Sequence, residues 1–148
     1  MSNRYNTILL KDGGQPWIYD EARCQSTLKP GMLIQYHTNG KVKPHATAGG
    51  RTAVWIAREN ALEGYKTVDS AYNTTDNDLV QFFKAQKGQD FAVLLNTGES
   101  VTIGDQLTSN GDGTFQTLAG SEVGLLVANE TYDNSAGSAP VLISASVL

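Results

Sequence analysis

A chain of 148 residues with 18% charged residues, 15 glycines and a formal net charge of −4 is sized for one domain, able to bury about 68–70% of its unfolded surface. Sparse charge and frequent Gly, beside many Thr, Ser and Asn, suit short strands and tight turns and fit a helical bundle poorly. The mild acidity leaves no basic stripe for nucleic acid, the single Cys24 excludes an internal disulfide, and no run approaches the roughly 18 apolar residues of a membrane span.

Residues 1–27 differ in texture from the rest of the chain. The N-terminus has only the short apolar run Ile8–Leu10, unlike a signal peptide, and one lone cysteine fits synthesis in a reducing compartment. Tyr5–Lys11 reads as a short strand that Gly13, Gly14 and Pro16 keep from extending. Trp17, Ile18 and Tyr19 then place three large apolar side chains among polar neighbours. Two readings stand side by side. The segment wraps the core of the same domain, or it is an extended arm that docks on another protein by strand addition and aromatic anchoring.

From Leu28 to Asn60 the grammar is that of a β-unit. Pro30-Gly31 is a turn pair, and Met32–His37 alternates like a half-buried strand. Asn39-Gly40 signals a tight hairpin, because a type I′ turn needs positive φ at both central residues. Lys41–Lys43 returns until Pro44, and Gly49-Gly50 turns the chain into Thr52–Arg58, whose run AVWIA predicts a buried strand containing Trp55. Asn60–Asn77 carries Leu62, Tyr65, Val68 and Tyr72 at helical spacing, against Gly64 and the β-branched Thr67-Val68. At most one short helix is expected there.

Asp78–Ala85 and Phe91–Leu95 read as a central hairpin closed at Gln86–Asp90. A second unit comes next at Val101–Thr131: Ile103-Gly104 for the turn, Asn110-Gly111-Asp112-Gly113 for the tip, and Val123–Ala128 for the last strand. Asn39 with Asn110, Gly49 with Gly120, Ala57 with Ala128 and Glu59 with Glu130 all align at one offset of 71, so an internal pseudo-repeat of 28–60 and 101–131 is expected. Val141–Val147, nearly free of charge, should be a paired strand, since open apolar edges aggregate. The predicted architecture is mainly β: a small closed barrel or compact sandwich over 28–148, built on two related hairpin units, with an N-terminal arm over 1–27.

Chemistry-bearing patterns are weak. Gly98-Glu99-Ser100-Val101-Thr102 lacks the second Gly of a nucleophile elbow, and both His37 and His45 precede it, the reverse of that hydrolase order. The two histidines lack a third ligand at metal spacing. Asp76-Asn77-Asp78 and Asn110–Gly113 do not continue into a calcium loop. The sequence therefore predicts no enzyme, no cofactor and no metal.

Four stretches in order carry a resemblance: Asn6-Thr7-Ile8-Leu9-Leu10; Leu28–Ile34; Lys43-Pro44-His45-Ala46-Thr47-Ala48-Gly49-Gly50; and Ile103-Gly104-Asp105-Gln106-Leu107 with Asn110–Gly113. Together they resemble the head decoration, or cement, proteins of tailed double-stranded DNA bacteriophages, over nearly the whole chain. Asn77-Asp78 departs from the Gly-Asp turn expected before the central strands. The resemblance implies a non-enzymatic virion protein, made in the bacterial host cytoplasm. It implies a homotrimer that binds the major capsid protein on the outer surface of the expanded capsid and clamps neighbouring capsomers against packaged-DNA pressure. No nucleic acid or membrane partner is implied. The expected capsid-contact residues are Tyr5, Ile8, Leu9, Trp17, Ile18 and Tyr19, chosen for their apolar bulk in the arm. The alternatives are a surface module that binds host glycans, or a tail or neck component.

Overall fold

The computed structural model describes residues 4–60 and 67–148. Its strands are β1 (Leu9–Lys11), β2 (Ile18–Arg23), β3 (Ile34–Tyr36), β4 (Val42–Pro44), β5 (Trp55–Ala57), β6 (Leu79–Lys84), β7 (Asp90–Leu95), β8 (Ser100–Val101), β9 (Gln106–Ser109), β10 (Phe115–Thr117), β11 (Leu126–Ala128), β12 (Tyr132–Asp133) and β13 (Val141–Val147). The described residues contain no helix. Leu62 and Tyr65 of the expected helical stretch lie outside the described residues. Val68 and Tyr72 of that stretch are buried, and Tyr72 bridges antiparallel to Leu28.

The mainly β expectation holds, and the closed form of it is a five-stranded barrel in the order β7-β10-β9-β11-β13, with β13 returning to β7. The longest ladder of this barrel runs from Val141↔Leu95 to Ser146↔Asp90, and the ring closes where β10 meets β7 in parallel at Phe115↔Leu95. Val93, Leu95, Leu107, Phe115, Ala128, Ile143 and Ala145 fill this core. The residues of β7 and β13 among them sit two apart, because successive strand side chains point to opposite faces. Full closure leaves the nearly uncharged β13 flanked by β7 and β11, which answers the edge problem its sequence raised.

Strands β2 to β6 make a second ring, while β8 and β12 pair with each other. β2-β6-β5 form one sheet and β3-β4 a hairpin; the bridges Leu33↔Ile56 and Cys24↔Val42 join them into β2-β6-β5-β3-β4 and back to β2. Cys24, Ile34, Val42, Ala57, Val80 and Phe82 lie in a separate core cluster, with Ala22 and Trp55 packed against it. The two rings correspond pair by pair. Ile34↔Pro44 in the first hairpin has its counterpart in Leu107↔Thr117 of the second. Trp55↔Lys84 matches Leu126↔Val147, and Tyr19↔Phe83 matches Asp90↔Ser146. The parallel bridge Cys24↔Val42 falls on Phe115↔Leu95.

Turn bonds repeat as well: Gly31 N–H to Ala57 O and Gly104 N–H to Ala128 O are both 2.8 Å, at φ of 91° and 94°. Equivalence thus reaches from β2 to β6 and from β7 to β13, wider than the stretches 28–60 and 101–131. Its register also differs at the hairpin. Asn39 Oδ1 accepts the Lys41 N–H as Asp112 Oδ1 accepts the Thr114 N–H, both at 3.0 Å, so Asn39-Gly40 corresponds to Asp112-Gly113. The Asn-Gly identity at an offset of 71 was a coincidence of turn composition; the strands β5 and β11 do keep that offset, Ala57 lying on Ala128.

The predicted central hairpin is corrected too. β6 pairs with β2 and β5, and β7 with β1, β10 and β13. Both strands exist where expected, but one closes the first ring and the other opens the second. The turn at Lys87-Gly88 is a passage between barrels. Gly88 instead bonds Val147 O at 3.0 Å.

Candidate interaction surface

Residues 4–24 are integrated with both rings. One edge of β7 carries β13, and its other edge is shared by three segments. The Ala92 N–H donates to Ile8 O at 2.8 Å, the Leu94 N–H to Gly31 O at 3.0 Å, and the Asn96 N–H to Phe115 O at 2.9 Å. β1 continues along that edge, antiparallel, with Leu9↔Phe91. The N-terminal segment therefore fills a seam that β10 covers at one end only.

Two carboxylates hold this segment from either side, Glu59 two residues beyond β5 and Glu130 at the matching place beyond β11. Glu59 accepts the Ile8 N–H at 2.9 Å. Glu130 accepts the Tyr5 hydroxyl at 2.5 Å, the Arg4 guanidinium at 2.5 Å and the Ser144 N–H at 2.7 Å. Burial alone would raise the Glu130 carboxyl; the Tyr5, Ser144 and Arg4 donors outweigh it and hold it below the ordinary glutamate range. Burial and the Glu130 carboxylate together push the Tyr5 phenol up to about 12.

The six expected contact residues therefore separate into two groups. Ile8 is fully buried in the core. Leu9 is half-buried and paired, and Tyr5 is half-buried and tied to Glu130. Trp17, Ile18 and Tyr19 stand 47%, 51% and 54% exposed at the start of β2. Apolar bulk alone marked both groups alike; what separates them is that the first lies in the seam along β7 and the second at the start of β2, which pairs in a ladder with β6, and neither partner is visible in the sequence.

The exposed group is braced from beneath. Trp17 and Tyr19 have ring centroids 5.9 Å apart, and Trp17 packs on the buried Phe83 at 5.9 Å. The Arg58 guanidinium lies 4.8 Å from the Phe83 centroid, 5.5 Å from Tyr19 and 5.7 Å from Trp17, and it reaches the Glu59 carboxylate at 3.7 Å. Such cation–aromatic contacts fix large side chains without hiding them. Across the sheet, Ile18 pairs with Lys84 and Lys84 with Trp55. The Lys84 ammonium sits 5.4 Å from the Trp55 ring, and Tyr36, 41% exposed, meets Trp55 edge-on at 5.2 Å. Trp55, expected as a buried strand residue, is half-buried beside this patch. Neither Tyr36 nor Arg58 stands out in sequence, since only the sheet brings Arg58 against Trp17 and Tyr19 on one face and Tyr36 against Trp55 on the face of Ile18.

Of the residues considered for chemistry, His45 has a structural role. His45 Nδ1 lies 2.7 Å from Ser109 Oγ, which also accepts the Gly111 N–H at 3.1 Å, so the pair ties β4 to the second hairpin. Burial pushes the His45 imidazole down. Unfolded His titrates near 6.5, so the unfolded chain binds the extra proton first and stability falls as pH drops below about 6.5. We expect urea midpoints to decline from pH 7 to pH 5 by no more than one proton's worth, about 1.4 kcal/mol per pH unit. His45→Asn should remove that slope, and an unchanged slope would refute the assignment. A shallow cavity of about 480 Å³ is lined by Tyr132–Asn134, Ala136–Ala139 and Val141, with Asp133 its only carboxylate. Among the described residues no group of three or more His, Cys, Asp or Glu gathers as metal ligands would.

A closed five-stranded β-barrel, preceded by a five-strand ring of matching pairings that two single bridges complete, with the N-terminal strand sealing the seam of the closed barrel, defines the fold. A known structure is built similarly: the N base of head fiber gp8.5 in bacteriophage phi29. It matches with a TM-score of 0.57 over 90% of this chain and 95% of that one, at 17% identity. No protein-family sequence pattern matches the chain, and no curated protein matches it by sequence.

Proposed function

We propose that the chain is a structural protein of a tailed bacteriophage virion, which attaches to the outer surface of the expanded capsid and acts by binding. The end-to-end fold similarity to a phage head fiber base carries this reading, and the four ordered motifs that resemble decoration proteins support it independently. In this reading three copies associate and each contacts major capsid protein subunits. Several modest contacts made together then hold firmly, because each later contact forms at high effective concentration. Neighbouring capsomers bridged in this way resist outward pressure.

Trp17, Ile18 and Tyr19 carry the attachment in this proposal; Ile8, Leu9 and Tyr5 act through the fold. Large aromatic side chains held rigid at a surface are the usual anchors of protein interfaces. The test uses heads assembled without the chain. Wild-type protein should cosediment with expanded heads, and Trp17→Ser or Tyr19→Ser should each weaken attachment by at least about tenfold, corresponding to roughly 1.4 kcal/mol, with the thermal midpoint little changed. Attachment to host cells that sugar competes away would instead establish a glycan-binding module. A few copies imaged near one vertex would establish a tail or neck component.

A further inference from the structure

The pairwise equivalence of the two barrels shows what is missing from the first. On β7 the outer edge is occupied: the Ala92 N–H bonds Ile8 O, and β1 continues along it through Leu9↔Phe91 and Lys11↔Asp90. The matching positions on β2 are Glu21 for Ala92 and Asp20 for Phe91, since Glu21↔Gln81 and Asp20↔Phe82 occupy the places of Ser144↔Ala92 and Ala145↔Phe91. Yet β2 has a ladder only with β6, and among the described residues no strand lies along its other edge before the Cys24↔Val42 bridge. The Glu21 N–H turns to its neighbour, Asp20 Oδ1, at 2.8 Å. This is a stopgap within one dipeptide, where the equivalent N–H of the second barrel meets a strand.

We infer that the outer edge of β2 is a strand-acceptor site, and that an extended segment of a capsid subunit adds to it antiparallel, as β1 adds to β7. This rests on the proposed attachment to the capsid. Three features define the occupant. Alternating backbone N–H and C=O groups at strand spacing are matched by another β-strand's backbone. Asp20 is already paired with Lys84 at 3.3 Å, so the exposed Glu21 beside it is the charge that a basic side chain on the incoming strand would complement. Ile18 and Tyr19, 51% and 54% exposed at the same edge, offer apolar contact to its neighbours. Charge at Asp20, Glu21 and Arg23 limits indiscriminate pairing along this edge, so a partner must complement that charge.

Proline discriminates this site from simple side-chain contact. At an edge strand's outward position it leaves the ladder to β6 intact but removes the donor that an added strand needs. Glu21→Pro, in the full chain, should lower binding to heads lacking the chain by at least about tenfold, while the Trp fluorescence and thermal midpoint stay near wild type. Glu21→Gln, which keeps the N–H, should bind within about threefold of wild type. Hydrogen exchange on decorated heads should show the Glu21 amide protected only in the bound state. If Glu21→Pro proves unstable, that exchange measurement on the wild type decides the matter. Wild-type binding with an unprotected Glu21 amide, or equal binding by folded Glu21→Pro, overturns strand addition and leaves the capsid reading standing. A wild type that does not bind heads overturns that reading and this partner with it. Self-association of the free chain that Glu21→Pro abolishes would overturn the capsid occupant in favour of a second copy.

Discussion

Gly31→Ala should destabilise the chain by about 3 kcal/mol or more, and Gly104→Ala by only about 1 kcal/mol. The two glycines are backbone equivalents, with φ of 91° and 94° and the same bond to the equivalent Ala57 and Ala128 carbonyls. The conformational cost of a side chain at positive φ is therefore shared, about 1 kcal/mol or somewhat more. Their surroundings differ. A Cβ at Gly31 would come within 2.5 Å of Leu142 Cδ2 and 3.3 Å of Leu94 Cγ, whereas nothing lies within 4 Å of a Cβ at Gly104. Overpacking against buried leucines adds roughly 1–3 kcal/mol. The Gly31 carbonyl is also the acceptor for the Leu94 N–H, so a displaced residue 31 loosens the junction between barrels. Urea unfolding of both variants measures the difference. Equal losses would mean that the first barrel does not seat Gly31 against β7 as described.

Removing residues 1–11 should cost about 4 kcal/mol or more and abolish cooperative folding near 37 °C, instead of yielding a folded domain without an arm. The reason lies at Ile8 and in the seam. Ile8 is fully buried beside the main core, and emptying such a site costs on the order of 2–5 kcal/mol. The Ala92 N–H would lose Ile8 O, and Glu130 would lose Arg4 and Tyr5 and keep the Ser144 N–H. A buried polar group left without a partner costs roughly 1–3 kcal/mol. Circular dichroism and thermal melting of the truncated chain check this, and a truncation that melts like wild type would restore the separable arm. The result also fixes how attachment must be probed. Deletion confounds unfolding with lost contact, whereas substitutions at Trp17 and Tyr19 leave the seam sealed.

Most strands were legible because hydrophobic alternation and turn residues act locally. Met32–Tyr36, Phe91–Leu95 and Val141–Val147 announce themselves by their neighbours, and Gly31, Gly40, Gly104 and Gly113 do take the positive φ that turns require. Asn77, where a glycine was expected, adopts a left-handed φ of 51°, a conformation Asn tolerates better than most residues. Pairing was not legible in the same way. Two adjacent strands with a short turn look like a hairpin whether they bond each other or part company, as β6 and β7 do. The equivalence of β2 with β7 left no trace in composition: IYDEAR stands against DFAVLL. Large side chains have moved between positions, so that Phe82 faces its core where the second barrel has Ala145, and Phe115 stands where the first has Val42.

The sequence alone specifies a small β-protein with turns at given glycines, weak prospects for catalysis, and apolar bulk concentrated before residue 20. Those properties depend on each residue and its near neighbours. Only the tertiary structure decided which of that bulk is core and which is surface, because Ile8 is buried by β7 and Trp17 is lifted by Arg58 and Phe83, residues far away in the chain. It also decided that one barrel has its outer edge filled and that, among the described residues, no strand fills the other's. Strand pairing is a long-range choice between backbones whose hydrogen-bonding groups are all alike, and the packing of whole sheets makes it.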